Sequence, residues 1–100
     1  MNTRGKRERS KELYRAILKL ETEEECIDFF EDLCTMGELS AMEQRFQVAK
    51  ALHEGKIYSE ILAETGASSA TISRVNRSLM YGNKGYELVF KRMKESGGGS

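Results

Sequence analysis

The stretch Gly66-Ala67-Ser68-Ser69-Ala70-Thr71-Ile72-Ser73-Arg74-Val75 decides how this chain folds. It has the form of the turn and second helix of a helix-turn-helix. Gly66 sits where a preceding helix, Ser59 to Thr65 with Ile61 and Leu62 as its apolar positions, must end in a left-handed residue. Glycine takes that conformation without a Cβ penalty. Ser68 or Ser69 can then cap the next helix through its hydroxyl oxygen, worth roughly 1 kcal/mol. Within that helix, Ser69 to Met80, the residues Ile72, Val75 and Leu79 fall at i, i+3 and i+7 and predict a buried stripe. Ser69, Ala70, Ser73, Arg74, Asn76 and Arg77 are left on the other faces. These are short, hydrogen-bonding or cationic groups, which suit contact with bases and phosphates in a DNA major groove.

The net charge is zero, which by itself argues against a nucleic-acid partner, but its distribution reverses that. Residues 1–20 carry seven Lys or Arg against two acids, a net +5. Residues 21–64 carry three against twelve, a net −9, and residues 65–100 carry six against two, a net +4. From Thr65 through Tyr86 there is no acidic residue, while Arg74, Arg77 and Lys84 are present. Basic ends around an acidic middle suit a protein with one face turned to phosphate.

One hundred residues bound the chain to a single small domain, and 39% hydrophobic content allows only a modest core. No apolar run reaches the 18 residues that a membrane span needs, and the charged N-terminus lacks an apolar signal core. A cytoplasmic location is expected. Cys26 and Cys34 lie eight apart on one expected helix. That spacing separates them by about 12 Å, too far for an intrachain disulfide, so two thiols are expected.

Outward from the opening stretch, helical signals fill the chain. Met1 to Arg9 is basic and polar and reads as a flexible arm. A first helix is expected from Ser10 to Leu20, with Leu13, Tyr14, Ile17 and Leu18 among its apolar residues. Thr22 and Glu25 have the spacing of a capping box for a second helix running to about Met36. Gly37 reads as a break, and Ser40 with Glu43 as the capping box of a third helix ending at His53. After the helix-turn-helix, Gly82, Asn83 and Gly85 mark a break or a helix start, and Tyr86, Val89, Phe90 and Met93 line a last helix. The organisation expected is an arm over 1–9, a helical domain over 10–95 with the helix-turn-helix at about 59–80, and a flexible tail over 96–100. There is no strand signal, so the fold class is all-α with six helices.

Six short helices leave broad apolar sides and few internal surfaces to cover them. Packing against a second copy resolves this, and one reading helix senses only a few base pairs, so a two-fold homodimer is expected. Its two reading helices would stand about 34 Å apart, one turn of DNA.

From about Leu39 to Met80 the chain resembles the Trp repressor family, and within it the Trp-repressor-like YerC/YecD proteins. The resemblance rests on Leu52-His53-Glu54-Gly55, on Glu64-Thr65-Gly66, and above all on Ala70-Thr71-Ile72-Ser73-Arg74 followed by Asn76-Arg77-Ser78-Leu79. It implies an intertwined homodimer with a shared helical core, and a reading helix that docks in the major groove partly through water. It also implies an effector pocket. In the repressor a tryptophan lies between two arginines, and Arg45 and Arg74 match those positions, with Thr71 and Ser78 at neighbouring polar ones. Guanidinium groups can stack on an indole and bind a carboxylate. Val75, however, stands where the repressor has glycine, and its branched side chain would fill space that tryptophan needs. A different small-molecule corepressor, or none, is expected.

The expected function is therefore a sequence-specific, dimeric DNA-binding transcriptional regulator, a repressor by steric block of a promoter. Its double-stranded DNA contacts would come from Ser68, Ser69, Ala70, Thr71, Ser73, Arg74 and Arg77, with Lys84 and the arm residues Arg4, Lys6, Arg7 and Arg9 adding backbone or minor-groove contacts. The alternative is a helical homodimer that binds a protein or small metabolite and keeps the helix-turn-helix as scaffold. Enzymatic chemistry finds little support. His53 is the single histidine, and the run Glu23, Glu24, Glu25, Glu31, Asp32 has no nucleophile or cofactor motif beside it. No cofactor or metal is expected.

Overall fold

The computed structural model describes residues 10–98. Among them there are six α-helices and no strand: α1 (Lys11–Ile17), α2 (Glu23–Leu33), α3 (Met36–His53), α4 (Tyr58–Thr65), α5 (Ser69–Tyr81) and α6 (Gly85–Met93). A π-helical turn, Lys94–Gly98, follows α6. The chain divides into two compact units, Met1–Leu39 and Ser40–Ser100, and α3 runs through the boundary. The basic arm over 1–9, with Arg4, Lys6, Arg7 and Arg9, lies outside the described residues, as do the last two tail residues.

In the first unit, local hydrogen bonding fixes the helix ends. The Ser10 hydroxyl accepts from the Glu12 N–H at 3.3 Å and opens α1. This helix ends three residues before the expected Leu20. Its exit tightens instead through bonds from Lys19 N–H to the Ala16 carbonyl (3.0 Å) and from Leu20 N–H to that of Ile17 (3.1 Å). Thr22 Oγ1 accepts from Glu25 N–H at 3.0 Å, and the Glu25 carboxylate reaches back to Glu21 N–H at 2.8 Å. Three acids in the first turn of α2 suit the positive end of its dipole. No residue of α1 or α2 is buried within the chain, and Leu18 is 82% exposed.

The start of α3 differs from the expectation at Ser40. The reciprocal box is Thr35 with Glu38: Glu38 N–H donates to Thr35 Oγ1 at 3.1 Å, and Thr35 N–H to Glu38 Oε1 at 2.9 Å. Two boxes of the same spacing lie five residues apart, and the earlier one adds a helical turn. Gly37 therefore falls in the first turn rather than at a break.

The second unit holds the core. Val48, Ala49 and Ala51 of α3 cluster with Ile61 of α4, Ala67 of the turn, Ile72 and Val75 of α5, and Phe90 of α6. Phe46, Leu52, Leu79 and Tyr86 pack on its margin. Phe90 is an aromatic hub, with ring centroids 4.8 Å from His53, 5.5 Å from Phe46 and 6.0 Å from Tyr86. At the end of α3, Gly55 is left-handed (φ 88°), with Lys56 N–H bonded to the Ala51 carbonyl and Gly55 N–H to that of Leu52. That is a Schellman motif, which turns the chain sharply into α4.

Replacing Ile72, fully buried, by Ala is expected to cost about 2–5 kcal/mol in urea unfolding. Gly66→Ala should cost about 1–2 kcal/mol, because Gly66 has φ 71° and an alanine there would be left-handed.

Candidate nucleic-acid interface

The helix-turn-helix occupies Tyr58–Thr65 and Ser69–Tyr81, one residue longer at each end than expected. Gly66 closes α4 in the left-handed conformation, its N–H bonded to the Leu62 carbonyl at 3.0 Å. Of the two serines that could cap α5, Ser68 does so. Its Oγ accepts from Thr71 N–H at 3.1 Å, and its hydroxyl lies 3.1 Å from Thr71 Oγ1 as donor. The Ser68 and Thr71 hydroxyls are thus engaged with each other, and Thr71 is half-buried.

Ile72 and Val75 (2% exposed) turn α5 onto the core. Ser69, Ala70, Ser73, Arg74 and Arg77 are exposed, while Asn76 is half-buried with its amide toward Met80 Sδ at 3.8 Å. No acid stands in the first turn of α5, so its helix end is a positive field without an internal counter-charge. Among the described residues the ion pairs are Lys56–Glu64 (2.9 Å) and Lys56–Glu54 (3.9 Å), and neither involves Arg74, Arg77 or Lys84. The hydrogen bond to Glu64 raises the Lys56 ammonium above its ordinary 10.5, against a smaller opposing desolvation, with the charges of Glu64, Glu54 and Glu60 adding. A raised cation stabilises the fold at neutral pH, and that contribution is lost as pH climbs through the raised value.

Of the residues expected to hold an effector, one lines a cleft. Ser78 lines an open cleft of about 480 Å³ at the α5–α6 corner, with Phe46, Asn83, Lys84, Tyr86 and Val89. Arg45, Thr71 and Arg74 do not line it. Gly82 is required at this corner, because a Cβ there would run into the Ser78 backbone carbonyl, which already accepts the Gly82 N–H at 2.9 Å. Lys84 enters α6 with φ 67°, the one non-glycine positive φ among the described residues.

Sequence reasoning missed Gln44, whose side chain bonds to the turn, and Lys56, whose partner Glu64 is eight residues away. Neither spacing has a local signal. Among the described residues no three His, Cys, Asp or Glu side chains gather as a metal-ligand set, and Cys26 and Cys34 are free. No described helix is long and apolar enough to cross a membrane.

An all-α fold with a capped, basic second helix defines a class of DNA-binding proteins, and comparison places the chain within it. The profile of the Trp repressor protein family matches residues 8–94, and the chain belongs to that family. It is 52% identical over 85 residues to the uncharacterised protein YerC of Bacillus subtilis (strain 168), covering 85% of this chain and 82% of YerC. A crystal structure of a candidate Trp repressor from Staphylococcus aureus superposes with TM-score 0.85 at 47% identity, covering 92% of this chain and 95% of that one. A TrpR-like protein from Eubacterium eligens ATCC 27750 gives 0.81 at 55% identity, covering 83% and 86%. Members of the family are regulatory DNA-binding proteins, not enzymes.

Ser68→Ala should lose about 1 kcal/mol of stability through the cap, whereas Ser68→Asp should keep it, since Asp caps as well as Ser. Thermal unfolding of the two variants side by side checks this.

Proposed function

We propose that this chain is a cytoplasmic, dimeric, sequence-specific DNA-binding regulator that acts as a repressor and reads the major groove with α5. The observation that carries this reading is the division of α5 into a fully buried apolar face and an exposed face of Ser69, Ala70, Ser73, Arg74 and Arg77. A helix so held presents its outer side chains in fixed positions, which base readout requires. Arg74 and Arg77 contact guanine edges or phosphates, Thr71 contributes beside the cap, and Lys84 contacts the backbone. The arm residues Arg4, Lys6, Arg7 and Arg9 add phosphate or minor-groove contacts.

The homodimer is supported by α1 and α2, which have no buried residue in the single chain although Ile27 and Leu33 are each about half exposed. Such a run of apolar side chains needs a partner surface, and a second copy supplies one. Repression follows from a dimer occupying a promoter.

Tryptophan is not the effector in this reading. Val75 fills the interior beside Ile72, and of the polar set Arg45, Thr71, Arg74 and Ser78 only Ser78 lines the cleft. That cleft is the observation behind the second reading, a helical dimer that binds a small metabolite or protein.

Gel shifts with a random oligonucleotide pool at low salt separate the two, since a DNA-binding protein should retard even non-specific duplex. Arg74→Ala or Arg77→Ala should weaken all sequences alike and flatten the salt slope by about one unit if the contact is to phosphate, or relax preference at one position if it is to a base. Lys84→Gly should weaken DNA binding without loss of stability, because glycine relieves the left-handed backbone. Sedimentation equilibrium at micromolar protein should give twice the 11.4 kDa chain mass, and a monomer mass would overturn the dimer.

A further inference from the structure

The direction in which α5 points is set at the turn Thr65-Gly66-Ala67, and α3 reaches that turn by core packing on Ala67 and by one side-chain hydrogen bond. Gln44, half-buried on α3, donates from Nε2 to the Thr65 carbonyl at 3.2 Å. Thr65 is the last residue of α4, so its carbonyl is one of the four that the helix leaves without an internal donor. The Thr65 hydroxyl donates to the Ile61 carbonyl at 2.7 Å and accepts from Ala67 N–H at 3.1 Å. Gly66 N–H is held by the Leu62 carbonyl at 3.0 Å, and Ala67 is 2% exposed. Every residue of the turn is therefore fixed by a hydrogen bond or by burial, and the Gln44 amide is the hydrogen bond that ties the turn to a different helix.

We propose that Gln44 is a positioning residue for sequence reading: by donating to the Thr65 carbonyl it locks the α4–α5 corner against α3 and so fixes the placement of α5 on DNA. This rests on the DNA-binding reading above. Apolar burial alone leaves a helix pair able to rock about its contact, because dispersion is not directional. A hydrogen bond at the pivot is directional and removes that freedom. Non-specific binding tolerates rocking, since long, exposed cationic side chains follow the phosphates. Base readout does not, because bidentate contacts need fixed geometry.

The test uses Gln44→Met, which keeps length and bulk but removes the donor, and Gln44→Lys, which keeps a donor. In the free protein, amide exchange at Ala67, Thr71 and Ile72 should quicken roughly tenfold in Gln44→Met and stay near wild type in Gln44→Lys. The ratio of selected-site to random-duplex affinity should fall roughly tenfold in Gln44→Met and recover in Gln44→Lys, with random-duplex binding of Gln44→Met at low salt unchanged. Wild-type exchange in Gln44→Met overturns the lock, and quickened exchange with an unchanged affinity ratio overturns the role in reading. Wild-type protein that binds no duplex overturns the DNA reading itself, whereas wild-type binding with Gln44→Met indistinguishable from it overturns Gln44 alone.

Discussion

Burial of one face of α5 is the constraint on which the second unit depends. Ile72 and Val75 sit in the same cluster as Val48, Ala49 and Ala51 of α3 and Ile61 of α4. This packing holds α5 on the core, and the Gln44 bond to the Thr65 carbonyl ties the turn before it to α3. The demand of the arrangement falls on the turn, which must redirect the chain in three residues. Gly66 meets that demand by adopting φ 71°, and the Thr65 hydroxyl and the Ser68 cap satisfy the amides that the turn exposes.

How much of this was legible in the sequence follows from the range of each interaction. Gly66, the Ser68 cap and the Ile72–Val75 stripe are encoded within ten residues, and each appears as expected. The start of α3 was ambiguous because Thr35/Glu38 and Ser40/Glu43 have the same pattern, and only the folded chain distinguishes them. Gln44 and Thr65 are 21 residues apart, and nothing in either neighbourhood marks them as partners. The left-handed Lys84 has no signal of its own: it stands among Gly82, Asn83 and Gly85, the residue types that take a positive φ most readily.

The first unit shows the limit of a single chain. Its helices are well capped, yet capping stabilises helix ends by about 1 kcal/mol each and cannot replace a core. α2 combines six acids with Ile27, Phe29, Phe30 and Leu33, and the phenyl rings of Phe29 and Phe30 meet edge to face at 5.6 Å. An amphipathic helix of this kind has its apolar side specified, and among the described residues none of it is buried.

The way α5 is held also bears on regulation. A ligand that orders a DNA-binding element must find it loose, because a ligand shifts an equilibrium only by its differential affinity for two states. Here α5 is held by a full apolar face, a capped N-terminus and a turn tied to α3. The open cleft beside Ser78, Gly82 and Lys84 lies at the other end of α5, where the backbone is least regular. In the proposed dimer the first two helices would gain their burial, so the population able to grip two half-sites would rise with chain concentration.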